Sequence, residues 1–157
     1  MSWMLAIPLL GLATGLRTMT PIAVLCWFAF LGYLPVEGTW AFWTARVVAV
    51  VVFSIFALGE YIGDKLPQTP NRTAPFPLLA RLGFGSFLGC IVTTAMRGSL
   101  VEGALQGAVG AALGTFAGFW VRRELVKKIR CPDWWVALPE DLLAVLCAAF
   151  ATHLAAR

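Results

Sequence analysis

Residues 3–34 read WMLAIPLLGLATGLRTMTPIAVLCWFAFLGYL, an apolar run too long for one membrane crossing. At ~1.5 Å rise per residue, such a helix would exceed a ~30 Å hydrocarbon core by about half. The run is interrupted at residues 15–21 by Gly15, Arg17 and Pro21. Glycine loosens a helix, proline removes a backbone donor, and arginine is costly in lipid. The pattern predicts a broken or sharply kinked helix there, with a re-entrant hairpin as the alternative.

Four further apolar runs follow, and none has the alternation of a half-buried strand. They cover residues 42–66, 77–96, 101–121 and 139–156. The last begins with Pro139, Glu140 and Asp141, which is typical of a helix start because proline suits the first position and carboxylates favour the positive end of the helix dipole. We therefore predict an all-α fold: one transmembrane domain, residues 1–157, of about five spans.

The composition excludes an ordinary soluble domain. Hydrophobic residues make up 60% of the chain and charged residues only 13%, whereas soluble domains have about 45–50% apolar and about 25% charged residues. The lipid bilayer is therefore the expected partner. No nucleic-acid motif, nucleotide fingerprint, phosphate loop or zinc-protease motif is present, so we expect neither nucleic acid nor a cofactor.

The orientation in the membrane follows from the distribution of lysine and arginine. With five spans, one side holds most of the basic residues: Lys65, Arg72, Arg122, Arg123, Lys127, Lys128 and Arg130. The positive-inside rule makes this side cytoplasmic, together with the N-terminus. A hairpin in residues 3–34 would move the N-terminus outside without moving the basic loops.

Small residues recur every three or four positions along the fourth span. They are Gly103, Gly107, Gly110, Ala111, Gly114 and Gly118. Such a face lets two helix backbones approach closely. We interpret it as tight packing within one protomer, and a homodimer seam is the alternative.

A weak internal repeat is also visible. Gly11 and Gly15 followed by Arg17 resemble Gly114 and Gly118 followed by Arg122. In a five-span arrangement these two segments would have opposite topology, and inverted repeats of this kind build many secondary transporters.

The most distinctive polar segment lies at residues 59–73, GEYIGDKLPQTPNRT. Glu60 and Asp64 are four residues apart, hence on one helix face, while Asn71 and Arg72 offer hydrogen-bond donors. A polar site at the mouth of a cavity is one interpretation, and a solvated helix end is the other.

This segment, together with GLRTMTP at residues 15–21 and EDLLA at residues 140–144, resembles a family of small bacterial membrane proteins catalogued as domain of unknown function 4126. The resemblance covers nearly the whole chain. It implies a multi-span protein of the bacterial inner membrane and carries over no activity or catalytic residue.

Arg17, flanked by Thr18 and Thr20, lies within an apolar run. An intramembrane arginine faces a partner, a cavity or an anion, and a broken helix frees backbone donors for anions. The alternative is a structural salt bridge to a carboxylate such as Glu60 or Glu140.

Glu140 and Asp141 could join Glu60 and Asp64 around one cavity. Four neighbouring carboxylates would suit a hard cation or a proton relay. For Asp141, capping of the helix dipole is the favoured interpretation.

Three functions follow. The leading hypothesis is permeation of a small polar or anionic solute, or of a lipid phosphate headgroup. Arg17, Thr18 and Thr20 would then hold the anion, Asn71 and Arg72 would add donors, and Glu60, Asp64, Glu140 and Asp141 would carry a coupling cation or proton. The second is a metal-dependent intramembrane enzyme acting on a lipid phosphate. The third is a scaffold subunit.

Overall fold

A computed structural model describes the chain over residues 3–63, 73–129 and 133–156. Within these ranges it is built of helices and contains no strand. The elements are α1 (Trp3–Leu16), α2 (Met19–Phe30), a short 3-10 helix (Trp40–Ala45), α3 (Val47–Gly63), α4 (Pro75–Ala95), α5 (Leu100–Ile129) and α6 (Asp133–Ala155). The predicted all-α helical bundle is therefore confirmed.

Three of the described helices, α4, α5 and α6, contain segments long and apolar enough to cross a membrane. The apolar helices α1, α2 and α3 are shorter. Large apolar side chains on the outside of the bundle are exposed, among them Ile55 on α3, Leu79 on α4, Leu113 on α5 and Phe150 on α6. Exposed large apolar side chains on several helices, together with three helices of membrane-spanning length, fit a membrane protein.

The helix boundaries differ from the predicted spans at three places. The run 42–66 is divided into the 3-10 helix and α3, and α5 continues past the predicted end at residue 121 to Ile129. The predicted helix start at Pro139 is wrong, because α6 begins at Asp133 and includes Pro139. Proline removes one backbone hydrogen bond, a loss that helices in a membrane bundle tolerate.

The helix is interrupted within the predicted interval 15–21, since α1 ends at Leu16 and α2 begins at Met19. The two helices then take different neighbours. α1 packs against α4, α5 and α6, whereas α2 packs against α3, α6 and the 3-10 helix.

Pairs of contacting residues give the direction of each helix. Along α1, Leu9 contacts Cys147 and Arg17 contacts Asp141, so α1 and α6 are antiparallel. Between α2 and α3, Trp27 donates a hydrogen bond to Ser54 at 3.2 Å, while the hydroxyls of Thr20 and Tyr61 lie 2.8 Å apart. α2 and α3 are therefore antiparallel as well.

Residues 3–34 form a helical hairpin, which was the alternative to a single broken or kinked helix. The 3-10 helix that follows α2 docks on α4 through Trp40, whose indole N–H donates to the Thr94 hydroxyl at 2.8 Å. At the same end of α4, Ile7 of α1 lies against Gly89. Both outer ends of the α1–α2 hairpin therefore lie at one end of the bundle, and its bend lies toward the other.

The glycine face of α5 packs inside the protomer. A Cβ added to Gly107 would lie 2.7 Å from the backbone of Gly85 on α4, and one added to Gly110 would lie 3.1 Å from Gly11 on α1. Gly114 meets Leu12 of α1, and Gly118 is buried. Since α1 and α4 cover this face, a homodimer could use it only if one of them moved away.

The two halves of the weak repeat run in the same direction. A Cβ on Gly11 would lie 3.0 Å from Gly110, and one on Gly15 would lie 2.7 Å from Gly114. An inverted repeat requires these segments to run in opposite directions, so that prediction is wrong. The five-span count reversed α5 relative to α1, because it counted residues 3–34 as one crossing.

Candidate functional site

Arg17 is the largest fully buried side chain, with 0% exposure. It is the first residue after α1, and its backbone N–H still donates a hydrogen bond to the backbone oxygen of Ala13 at 2.8 Å. Its side chain Nε–H donates to Asp141 Oδ1 of α6 at 2.6 Å, and Nη2 lies 2.5 Å from the same oxygen. An arginine at this depth is tolerated only beside an opposite charge. Arg17 therefore takes part in a structural salt bridge, and Asp141 is a partner that was not among the carboxylates named for it, Glu60 and Glu140.

Asp141 is placed well inside α6 rather than at its beginning. Since α6 begins at Asp133, more than two turns precede Asp141, and the helix dipole acts only over the first turn. The predicted capping role of Asp141 is thus wrong. Its side chain is 15% exposed and turns toward the bend of the α1–α2 hairpin.

Glu60 of α3 binds the N-terminus of α2. Its Oε1 accepts the backbone N–H of Thr18 at 2.7 Å, and its Oε2 accepts that of Met19 at 2.8 Å. The first backbone N–H groups of a helix have no partner within it and carry partial positive charge. The Thr18 hydroxyl does not cap the helix. Glu60 therefore supplies, from a neighbouring helix, the anionic cap that the local sequence lacks.

Arg81 of α4 makes the opposite contact at the end of α1. Its Nη1 donates to the backbone oxygen of Gly15 at 2.6 Å and to that of Leu16 at 3.1 Å. Its exposure is 5%. The last carbonyls of a helix carry partial negative charge, which a cation stabilises. The sequence analysis missed Arg81, although an arginine inside the apolar run 77–96 is the same signal that identified Arg17.

Tyr61 closes the site beside Glu60 and was also missed. Its ring centroid lies 5.4 Å from Cζ of Arg17, within range of a cation–π contact. Its hydroxyl lies 2.8 Å from that of Thr20, which is 2% exposed. Of the predicted anion-binding residues, Arg17, Thr18 and Thr20 are thus brought together, but Thr18 contributes its backbone rather than its hydroxyl.

Glu140 belongs to a separate ion pair. Its Oε2 lies 3.5 Å from Nη1 of Arg122 on α5. Although Glu140 and Asp141 are adjacent in sequence, they bind different partners. Glu140 contacts Arg122 of α5, whereas Asp141 contacts Arg17 at the end of α1. Among the described residues, Glu60 and Asp141 lie at the bend while Glu140 contacts Arg122. The group of four carboxylates stays a prediction, because it includes Asp64. Asp64, Asn71 and Arg72 lie outside the described residues.

No group of three or more histidine, cysteine, aspartate or glutamate side chains that could hold a metal ion occurs within residues 3–63, 73–129 and 133–156. The contacts described at the bend are charge pairs and hydrogen bonds to the backbone. We call Arg17, Glu60, Arg81 and Asp141 the break cluster.

The break cluster matches the electrostatics of two helix ends. A cation, Arg81, binds the negative end of α1, and an anion, Glu60, binds the positive end of α2. Arg17 and Asp141 add one charge of each sign, so the four formal charges cancel. Removal of one member would leave a buried charge without compensation. The N–H groups of Thr18 and Met19 can hold an anion, and the Glu60 carboxylate lies at this position in the structure.

No protein-family profile, curated protein or solved structure matches this chain. The resemblance to domain of unknown function 4126 stays a prediction.

Proposed function

We propose that this chain is a membrane transporter or permeation pathway for a small anionic solute or a lipid phosphate headgroup, with the break cluster as its site in a closed state. One observation carries the proposal. A carboxylate of the protein itself, Glu60, occupies two backbone N–H donors beside the buried Arg17. Half-helix ends at membrane depth are where many transporters bind their anionic substrates.

The proposed topology has four crossings, α3 to α6, and a re-entrant α1–α2 hairpin instead of five spans. In a bacterial inner membrane the positive-inside rule puts the exposed Arg123, Lys127 and Lys128 in the cytoplasm. The N-terminus is at the opposite end of the bundle. The proposal therefore replaces the predicted cytoplasmic N-terminus with an external one.

The depth of the bend follows from α5. From Leu100 to Val121 this helix would span ~33 Å, close to the ~30 Å hydrocarbon core. Thr115, whose hydroxyl lies 3.4 Å from the backbone oxygen of Gly15, precedes Val121 by six residues. The bend therefore lies ~9 Å inside the cytoplasmic boundary. At that depth an anion path needs only a short opening to reach the cytoplasm.

Helix α3 is the proposed moving part. It packs mainly against α2 and the 3-10 helix, and its buried residues are Ala49, Val50 and Ala57. Helix α3 makes few contacts with α1, α4 and α5, although Ala49 and Val50 belong to the same buried core. Movement of α3 would withdraw Glu60 and Tyr61 together, which opens the N-terminus of α2 and one face of Arg17 to an incoming anion. The carboxylate of Glu60, once withdrawn from the two N–H groups, would be free to carry the coupling cation or proton.

The test is flux in liposomes that contain purified protein and report the movement of chloride, phosphate, acetate and a labelled phospholipid. Wild-type protein should move at least one of them. A double variant, Arg17→Met with Asp141→Leu, removes the buried charges as a pair, so that neither is left alone. It should remain folded by size-exclusion chromatography and lose the flux.

The matched control is Arg122→Met with Glu140→Leu, which removes the ion pair outside the break cluster. This variant should keep its flux. Wild-type liposomes that move none of the four probes would overturn the proposal, and so would a folded Arg17/Asp141 variant that transports as well as wild type.

A further inference from the structure

One side of α5 faces lipid along the whole predicted crossing. Large apolar side chains recur on it every three or four residues and are exposed, with values between 46% and 68%: Val101, Leu105, Val109, Leu113, Phe116 and Trp120. Residues at this spacing lie above one another on a helix. The face forms a continuous track for acyl chains, and Trp120 marks its end, as is usual at the boundary of the hydrocarbon core.

The same face continues into two cations. Arg123 and Lys127 are three and seven residues beyond Trp120, hence on the same side of the helix, and both are exposed. They lie ~4.5 Å and ~10 Å farther along the axis, at the level of lipid headgroups. The neighbouring Arg122 points elsewhere, toward Glu140 of α6.

The other charged residues of this segment lie beside the track rather than on it. Lys128 is turned by ~100° from Lys127 around the helix. Glu124 is three residues before Lys127 and four before Lys128, and side chains at both spacings are neighbours on a helix. Arg123 and Lys127 are therefore the two cations that are aligned with the apolar track.

We propose that this surface is a binding site for an anionic phospholipid, with acyl chains along the α5 track and the headgroup phosphate between Arg123 and Lys127. The apolar track selects a lipid over a soluble phosphate, because the two cations are directly above it. The site does not depend on the break cluster, so it stands or falls separately from the transport proposal.

The experiment measures lipid retained by detergent-purified full-length protein, by native mass spectrometry, after incubation with phosphatidylglycerol or phosphatidylcholine. The test variant is Arg123→Gln with Lys127→Gln. The control is Arg97→Gln with Lys128→Gln, which removes the same total charge away from the track. At about fivefold per cation near a membrane surface, the test variant should lose roughly 25-fold in affinity for phosphatidylglycerol. The control should lose at most about fivefold, the contribution of one cation near the headgroups, since Lys128 lies beside the track and Arg97 is at the opposite end of the bundle.

Wild-type protein should also prefer phosphatidylglycerol to phosphatidylcholine. Equal retention of the two lipids would overturn the site. An equal loss of affinity in the test and control variants would show that only net charge matters, which would also contradict the proposed site. A test variant that binds phosphatidylglycerol as tightly as wild type would contradict it as well.

Discussion

Arg17 and Asp141 are 124 residues apart in the chain, yet their side chains meet at 2.6 Å and join the bend of the first hairpin to the last helix. Arg17 is fully buried, while the side chain of Asp141 is 15% exposed. Each needs the other, because an unpaired charge at this depth is far more costly than the pair.

Replacement of Asp141 alone should destabilise the fold strongly. Asp141→Ala removes the carboxylate that lies 2.6 Å from Nε of the buried Arg17, and loss of one partner of a buried pair costs ~3–5 kcal/mol. The measurement is thermal unfolding in detergent, followed by circular dichroism.

The informative comparison is the Arg17→Met, Asp141→Leu double variant. It should recover most of the lost stability, because paired apolar replacements avoid an uncompensated charge. Additive losses in the two single variants and the double variant would show that the two side chains do not depend on each other.

Glu60→Gln should loosen the start of α2 locally. A glutamine offers one carbonyl oxygen where the carboxylate offers two, and it is uncharged, so the N–H groups of Thr18 and Met19 lose a charged acceptor. Hydrogen bonds to charged groups contribute ~1.5–3 kcal/mol. Hydrogen–deuterium exchange should therefore accelerate at the start of α2.

The matched control is Glu102→Gln, an exposed carboxylate at the other end of the bundle. It should leave exchange in α2 unchanged. Unaltered protection of Thr18 and Met19 in Glu60→Gln would contradict the cap that the structure gives to α2.

The sequence predicted those features that depend on local residue types. Arg17 within an apolar run, flanked by Gly15 and Pro21, was enough to place the break, and the regular glycines of α5 were enough to predict close packing. The partner of Arg17 was not predictable in this way, because it depends on where α6 begins and how it is rotated. Because α6 was expected to begin at Pro139, Asp141 was predicted to cap the dipole at the start of that helix.

The directions of α1 and α2 could not be predicted from the sequence either, because they depend on tertiary contacts. Residues 3–34 fit one bent crossing or a hairpin equally well by length and composition. Only contacts far apart in sequence, such as Trp40 with Thr94 and Ile7 with Gly89, decide between the two. Arg81 was overlooked because the run around it appeared to be an ordinary span.

Gly15→Ala should destabilise the bundle, because a Cβ at this position would lie 2.7 Å from the backbone of Gly114. Backbone atoms cannot give way as a flexible side chain does, so the overpacking should cost ~1–3 kcal/mol or more. The measurement is the shift of the thermal unfolding midpoint in detergent.

Gly59→Ala is the control for the same chemical change, since nothing lies within 4 Å of a Cβ at Gly59 in α3. There the higher helix propensity of alanine should stabilise by up to ~1 kcal/mol. Equal effects at Gly15 and Gly59 would contradict the close approach of α1 to α5.

The hairpin predicts that the first loop and the end of α5 lie on opposite sides of the membrane. In a chain with its four cysteines replaced by serine or alanine, Glu37→Cys should react with an impermeant maleimide in intact cells. Lys128→Cys should react only after the inner membrane is permeabilised, because the proposed topology puts the basic end of the bundle in the cytoplasm. An epitope tag at the N-terminus should be accessible under the same conditions as Glu37→Cys, since both ends of the hairpin lie together. A tag that becomes accessible only after permeabilisation, as expected for Lys128→Cys, would mean that residues 3–34 cross the membrane once. That result would remove the re-entrant bend on which the proposed anion site depends.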